Sequence, residues 1–452
     1  MSLHHDEQRP SNDSSHELPS VRQRPKIPFE QKQSDATEGS NAGQAADSSQ
    51  NLTALERFVV RRLREFIDLP EINIVIGDEE QDGSKLARHS IHIRDKSTLY
   101  QLIRDPEYAF LEGYTLGTIE ISGDLVELLT LLKQKHSIHQ HVSKWSHLIY
   151  NQLRRRRSRC RQGNVAYHYD IGNDFYRLWL DEQLLYTCAY FESASLTLEQ
   201  AQVAKMDYVC RKLRLRSGER VIEAGCGWGA LAIHMARHYG VTVRATNLSK
   251  EQLDYARCRA KREGLESRVE FIEADWTEIA DACDAFVSVG MLEHVGPENY
   301  RHLGQIIGRS LGANGRGLIH TIAQNTTEPL SPWIEHRIFP GAQPPTLTQM
   351  MDIFEPYELS VIDLENLRPH YAETIRHWLD RFENSTQIIR KTFDERFVRM
   401  WRIYLASSIA AFQVGSLQLY QVLFAPLASM SIPATRDDIY GDPLRGLGER
   451  SA

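Results

Sequence analysis

Val221-Ile-Glu-Ala-Gly225-Cys-Gly227-Trp-Gly229 decides the fold. A short apolar strand runs into a turn with glycine at every second position, and a helical stretch at residues 230–238 opens directly behind it. Glycines there let the backbone approach a ligand at the carboxyl end of a strand, where open α/β sheets bind cofactors. A dinucleotide fold wants its third glycine at Gly-x-Gly-x-x-Gly, but position 230 is Ala and the spacing is Gly-x-Gly-x-Gly. A cofactor without a pyrophosphate is the better fit.

Outward from this turn, strands at 220–224, 241–245, 269–272, 285–289 and 317–322 alternate with helical stretches such as 230–238, 250–263 and 299–311. That alternation predicts a parallel sheet wrapped on both faces, an α/β Rossmann-like fold. The second strand leads into Thr246-Asn247-Leu248-Ser249-Lys-Glu-Gln252, with no acidic residue for ribose hydroxyls; Asn247, Ser249 and Gln252 offer hydrogen bonds in its place. Ser249 reads equally well as the N-cap of the next helix. After the third strand, Asp275 and Trp276 set an acceptor beside an aromatic face, suited to the amino group and ring of adenine.

The 452 residues, 41% hydrophobic and 25% charged, suffice for two or three domains with a large core. A net charge of −7 excludes a general nucleic-acid binder. Six cysteines without a C-x-x-C pair give neither a zinc pattern nor a disulfide framework, so no metal is expected and a reducing cytosol fits. No signal peptide is visible at the N-terminus. The uncharged stretch 403–435 is broken by Gln413, Gly415, Gln418, Gln421 and Pro426 and reads as a core helix followed by a strand rather than a membrane span. The chain is therefore expected to be cytoplasmic, with membrane contact at most peripheral.

Composition divides the chain into a disordered tail at 1–51, a small α+β domain at 52–138, a basic linker at 139–163, a catalytic domain at 164–430 and a C-terminal tail at 431–452. The linker carries Arg154-Arg-Arg-Arg157, which reads first as a solvated charge run and second as a contact for anionic lipid headgroups, worth about 1 kcal/mol per basic side chain.

Several pieces in order, Tyr167-His-Tyr169-Asp-Ile-Gly-Asn-Asp-Phe, Tyr186-Thr-Cys188-Ala-Tyr-Phe, the glycine loop, Ser288-Val-Gly-Met-Leu-Glu293-His-Val-Gly and His320-Thr-Ile322, closely resemble the cyclopropane-fatty-acid synthase family. The segment around Glu112-Gly-Tyr is similar, more loosely, to the lipid-associating N-terminal domain of the bacterial enzymes. The resemblance implies a class I methyltransferase domain that uses S-adenosylmethionine. It further implies methyl transfer to the double bond of an unsaturated phospholipid acyl chain at the membrane surface, then ring closure. An alkene is a poor nucleophile, so a sulfonium donor must be held in line with it, and closing the ring needs a base to take a proton from the transferred methyl.

In the family that base is bicarbonate. The resemblance carries its binding site onto Cys188, Glu293, His320, Tyr404 and the main chain of Ile322. Tyr186 and Thr187 are expected at the methionine part of the cofactor, Gly225, Gly227, Gly229 and Leu248 along it, and Tyr169 at the acyl entrance. Family members are often dimers, so a homodimer is one assembly left open. Two departures stand out. Ser408 replaces a cysteine four residues after the tyrosine, which removes any covalent thiol intermediate there, and Thr187 and Leu292 replace Ser and Phe. The competing outcomes are a C-methyltransferase giving methyl- or methylene-branched chains, an N-methyltransferase acting on an amine, and a noncatalytic lipid-binding protein.

Overall fold

The computed structural model describes residues 53–77, 87–138, 171–430 and 432–440, all within one compact unit, Ser48–Ala452. Tyr167, His168, Tyr169 and the Arg154–Arg157 run lie outside the described residues, as do the 1–51 segment and the part of the tail beyond residue 440.

The first part of this unit runs α1 (Ala54–Ile67), β1 (Ile72–Ile76), β2 (His89–Ile93), α2 (Lys96–Arg104), α3 (Pro106–Leu116), β3 (Ile119–Ser122) and α4 (Leu125–Ile138). Thr53 and Glu56 form a reciprocal capping box that starts α1. β2 pairs with β1 in parallel and with β3 antiparallel. The inward residues Ile72, Ile74, Ile91, Ile93 and Ile119 meet Val59, Leu63, Leu99 and Leu128 in a separate small core. The alternation of β1 and β2 in the sequence has this cause.

The second part is built on a seven-stranded sheet. Its elements are α5 (Asn173–Arg177), α6 (Leu198–Lys212), β4 (Arg220–Ala224), α7 (Ala230–Tyr239), β5 (Thr242–Asn247), α8 (Lys250–Arg262), β6 (Val269–Glu273), β7 (Cys283–Val289), α9 (Tyr300–Ser310) and β8 (Leu311–Ala323). There follow α10 (Pro332–Arg337), α11 (Leu347–Phe354), β9 (Leu359–Asn366), α12 (Arg368–Thr392), α13 (Glu395–Val414), β10 (Gln418–Pro426) and α14 (Asp437–Tyr440). The strand order is β6-β5-β4-β7-β8-β10-β9. Along β4, Val221 joins one core with α6, α7 and α8 residues while Ile222 and Ala224 join another with α9 and α11 residues. The sheet is thus covered on both faces, and its central strands read as continuous apolar runs for that reason.

The all-parallel expectation needs one correction: β10 is antiparallel to both β8 and β9. The chain leaves β9, crosses the sheet end through α12 and α13, and returns between β8 and its own predecessor. The change from helix to strand read at Gly415 is found there, with Gly415 at φ 82 closing α13 through its amide to Ala411 O. α12 and α13 carry a third, aromatic core that holds Trp179, Trp333, Trp378 and Trp401. α3 and α4 pack on α13. Arg399 fastens that contact: its guanidinium lies 4.2 Å from the Tyr114 ring centre and pairs with Glu120 at 3.1 Å.

Candidate active site

β5 and β7 lie on opposite sides of β4, so the chain departs in both directions from that strand and leaves a crevice at its carboxyl end. Gly225, Gly227 and Gly229 line the turn there with φ of 83, 52 and 80, the left-handed region that other residues enter only with strain. A cavity opens over this turn. It is lined by Tyr186, Thr187, Gly225, Gly227, Asn247, Leu248, Gln252, Asp275 and Trp276, all expected from the sequence.

Two of the expected cofactor residues sit beside the cavity rather than in its wall. Gly229 is closed in by packing: a Cβ there would lie 2.7 Å from the Phe271 ring and 2.8 Å from Ala256. Ser249 is buried and caps α8, accepting from the Gln252 amide at 3.4 Å. Asn247 donates to Gln252 Oε1 at 2.7 Å, which fixes both side chains at the cavity edge. Asp275 accepts from the Thr277 amide at 2.9 Å and so stiffens the turn that presents Trp276.

The sequence reading missed part of the wall. Glu223, Lys205, Trp228, Met291 and His294 also line the cavity. Burial pushes the Glu223 carboxyl up to about 8, against the pull of Lys205, and its Oε2 has no hydrogen-bond partner. A buried acid in that condition favours a cationic ligand. Burial lowers Lys205 to about 8 and His294 to about 4, so at neutral pH the first is mostly charged and the second neutral. Trp228 is held by its Nε1 donating to Asn173 Oδ1 at 2.6 Å. A sulfonium fits this lining of Glu223 with the Tyr186 and Trp228 rings.

A further set of buried polar residues comprises Tyr404, His320, Glu293 and Cys188. The hydroxyls of Tyr186 and Tyr404 are 2.8 Å apart, joining the cofactor cavity to α13. Phe339 stands by both rings, with centroids 6.5 Å from Tyr186 and 5.8 Å from Tyr404. His320 on β8 is buried, and desolvation holds it well below its usual range, hence neutral. Its Nδ1 faces Gln421 Nε2 at 3.0 Å across the β8–β10 ladder. The amide donates, so Nδ1 accepts, and the ring proton belongs on Nε2, which has no partner. Gln421 had been noted only as a polar interruption in an uncharged stretch.

Glu293 follows β7. Its Oε1 accepts from the Ile322 amide at 2.6 Å, its Oε2 has no partner, and burial raises the carboxyl to about 7. Of the Ile322 main chain expected at the bicarbonate site, the amide is engaged by Glu293 itself. Cys188 is fully buried, donates to Ala189 O at 3.1 Å, and burial drives its thiol far above the ordinary range, so it is no nucleophile. Ser408 donates back to Tyr404 O at 2.9 Å. Among the described residues no group of three His, Cys, Asp or Glu could hold a metal, and no helix is long and apolar enough to cross a membrane.

A glycine-turn cavity on a sheet of this order, able to seat a sulfonium cofactor, defines a Rossmann-like S-adenosylmethionine-dependent methyltransferase. Within that class the chain belongs to the mycolic acid cyclopropane synthetase family, which matches residues 155–422. It is similar to a probable fatty acid methyltransferase of Pseudomonas putida, 38% identical over 287 residues, 61% of this chain and 73% of that one. It is also similar to the cyclopropane-fatty-acyl-phospholipid synthase of Escherichia coli strain K12, 39% identical over 259 residues, 57% of this chain and 66% of that one. Among solved structures, mycolic acid cyclopropane synthase CmaA1 complexed with SAH and CTAB aligns with a TM-score of 0.56 at 30% identity, over 58% of this chain and 97% of that one.

Proposed function

We propose that the protein transfers a methyl group from S-adenosylmethionine to the double bond of an unsaturated phospholipid acyl chain and closes a cyclopropane ring. The sulfonium supplies an electrophilic methyl that an alkene can attack. The observation that carries the ring-closing step is the pair of buried, unpartnered polar atoms, Glu293 Oε2 and His320 Nε2, on the same edge of the sheet as the glycine turn. An acceptor and a donor left open in an apolar surrounding suit a small anion that carries one proton, and bicarbonate fits: Glu293 would accept from it and His320 would donate to it. Tyr404, whose hydroxyl lies 2.8 Å from that of Tyr186, links this site to the cofactor cavity. Ile322 contributes by holding Glu293.

The acyl chain is proposed to come from a membrane surface. Exposed Phe58 on α1 and Tyr100 and Ile103 on α2 support this, with Arg61 and Arg62 guanidinium carbons 5.4 and 5.8 Å from the Phe58 ring. The names of the Escherichia coli and Pseudomonas putida relatives support a lipid acceptor. The test is expression in cells without this activity, followed by analysis of total fatty acids. The expected product is one methylene heavier than a monoenoic acid and shows the high-field proton signals of a three-membered ring. A methyl or methylene branch in its place, or an unchanged lipid profile, would contradict the reading.

A further inference from the structure

Lys205 sits in the middle of α6, is 1% exposed, and lines the cofactor cavity. Nothing in the reaction above uses it. Its hydrogen bond among the described residues is to Thr187 Oγ1, at 2.8 Å. An ammonium has three protons to donate and is costly to bury without an anion. The acids around it act on its charge only from a distance. Asp181 spends its carboxylate on the amides of Gln183 and Leu185, at 2.8 and 2.9 Å, rather than on the lysine. Glu223 is pushed toward its neutral form, and its Oε2 has no partner.

Among the described residues, Lys205 is also the one Lys or Arg in the cavity wall. The cofactor carries a single anionic group, the carboxylate of its methionine part, and a buried cation is the feature that selects for it. The ends of the cavity fit the same orientation. Asp275 and Trp276, after β6, suit the adenine, whereas Thr187, Lys205 and Glu223 lie toward β4 and β7. Because Thr187 Oγ1 accepts from Lys205, its own proton is free to be donated, so the pair presents two donors together. Gln202, one turn before Lys205 on α6, fixes the loop that bears Thr187 by donating to Thr187 O at 2.9 Å.

We propose that Lys205, with the Thr187 hydroxyl, binds the carboxylate of S-adenosylmethionine and so sets which way the methionine arm lies in the cavity. This rests on the protein being a methyltransferase, and not on ring formation.

The test is calorimetric binding to the full-length protein of S-adenosylhomocysteine and of its decarboxylated analogue, which keeps the amine. The wild type should prefer the carboxylate-bearing ligand by about 10- to 100-fold, the scale of a buried hydrogen bond to a charged group. Lys205→Met should lose that preference while binding the analogue as the wild type does. A loss shared equally by both ligands would make Lys205 a structural counter-ion to Asp181 and Glu223, and no loss would remove it from the site; either overturns the proposal. Should Lys205→Met fail to fold, Thr187→Val, which keeps the lysine and the side-chain shape, decides the question: an unchanged ligand preference overturns it. Tight carboxylate-dependent binding by a protein that makes no ring would leave this inference standing and sink the proposed reaction instead.

Discussion

Glu293 divides its carboxylate between the Ile322 amide and an unpartnered side, and its burial has two consequences that can be measured. With the carboxyl raised to about 7 from an ordinary 4.5, the anionic form needed to accept a proton from the bound anion is gained as pH rises through about 7. Turnover at saturating cofactor should fall on the acid side with an apparent pKa near that value, and Glu293→Gln should lower kcat by at least about 100-fold while leaving S-adenosylhomocysteine affinity within a factor of about three. Stability runs the other way. The folded state holds this proton more tightly than the unfolded chain, so folding is favoured below about 4.5 and that gain is lost as pH climbs to about 7. The Tm of Glu293→Gln should therefore improve relative to wild type between pH 5 and pH 8; a constant difference would mean that the carboxyl is not buried as described. Cys188, Glu293 and His320 were singled out because they stand in multi-residue motifs, and Tyr404 because the family resemblance carries it over. Lys205 and Gln421 were not, since one polar residue on an amphipathic helix or a buried strand carries no pattern until its neighbours in space are known.

The glycine turn shows how much of an element its sequence can convey. Gly225, Gly227 and Gly229 were read as backbone approaching a ligand, and all three have the positive φ that calls for glycine. The reasons differ, and spacing alone does not separate them. A Cβ on Gly227 would meet open space, whereas one on Gly229 would strike Phe271 and Ala256. Gly229→Ala should accordingly cost about 2–4 kcal/mol in urea unfolding, from strain plus overpacking, and Gly227→Ala about 1–2 kcal/mol, from strain alone. Equal losses would contradict the packing described for α7 on β6. The central strands β4, β7 and β8 were readable because burial on both faces makes them continuous apolar runs. β9 was missed: it is an edge strand, and Ser360, Asp363, Glu365 and Asn366 leave it little apolar text. The reversed direction of β10 was missed because strand direction is set by the route of α12 and α13, which periodicity does not record.

At the scale of the whole molecule, composition and period divided the chain into a small α+β domain and a large α/β domain, whereas the described residues of both fall in one compact unit. The contacts that join them were not legible. Glu120 and Arg399 are 279 residues apart in the chain, and Glu112, which accepts from Trp333 Nε1 at 2.9 Å and pairs with Arg337, is 225 residues from that arginine. These contacts tie β3 to α13, the helix that carries Tyr404, and α3 to α10, while α3 and α4 also pack on α13. The central claim is that a single pocket both delivers the methyl and removes a proton from it. The direct measurement is incubation of the purified protein with S-adenosylmethionine deuterated throughout its methyl group and vesicles of a monounsaturated phospholipid, followed by mass and proton spectra of the acyl chains. The account predicts a ring that keeps two of the three deuterium atoms and has no olefinic carbon. A product that keeps all three, or one that keeps two on an exocyclic double bond, would contradict it.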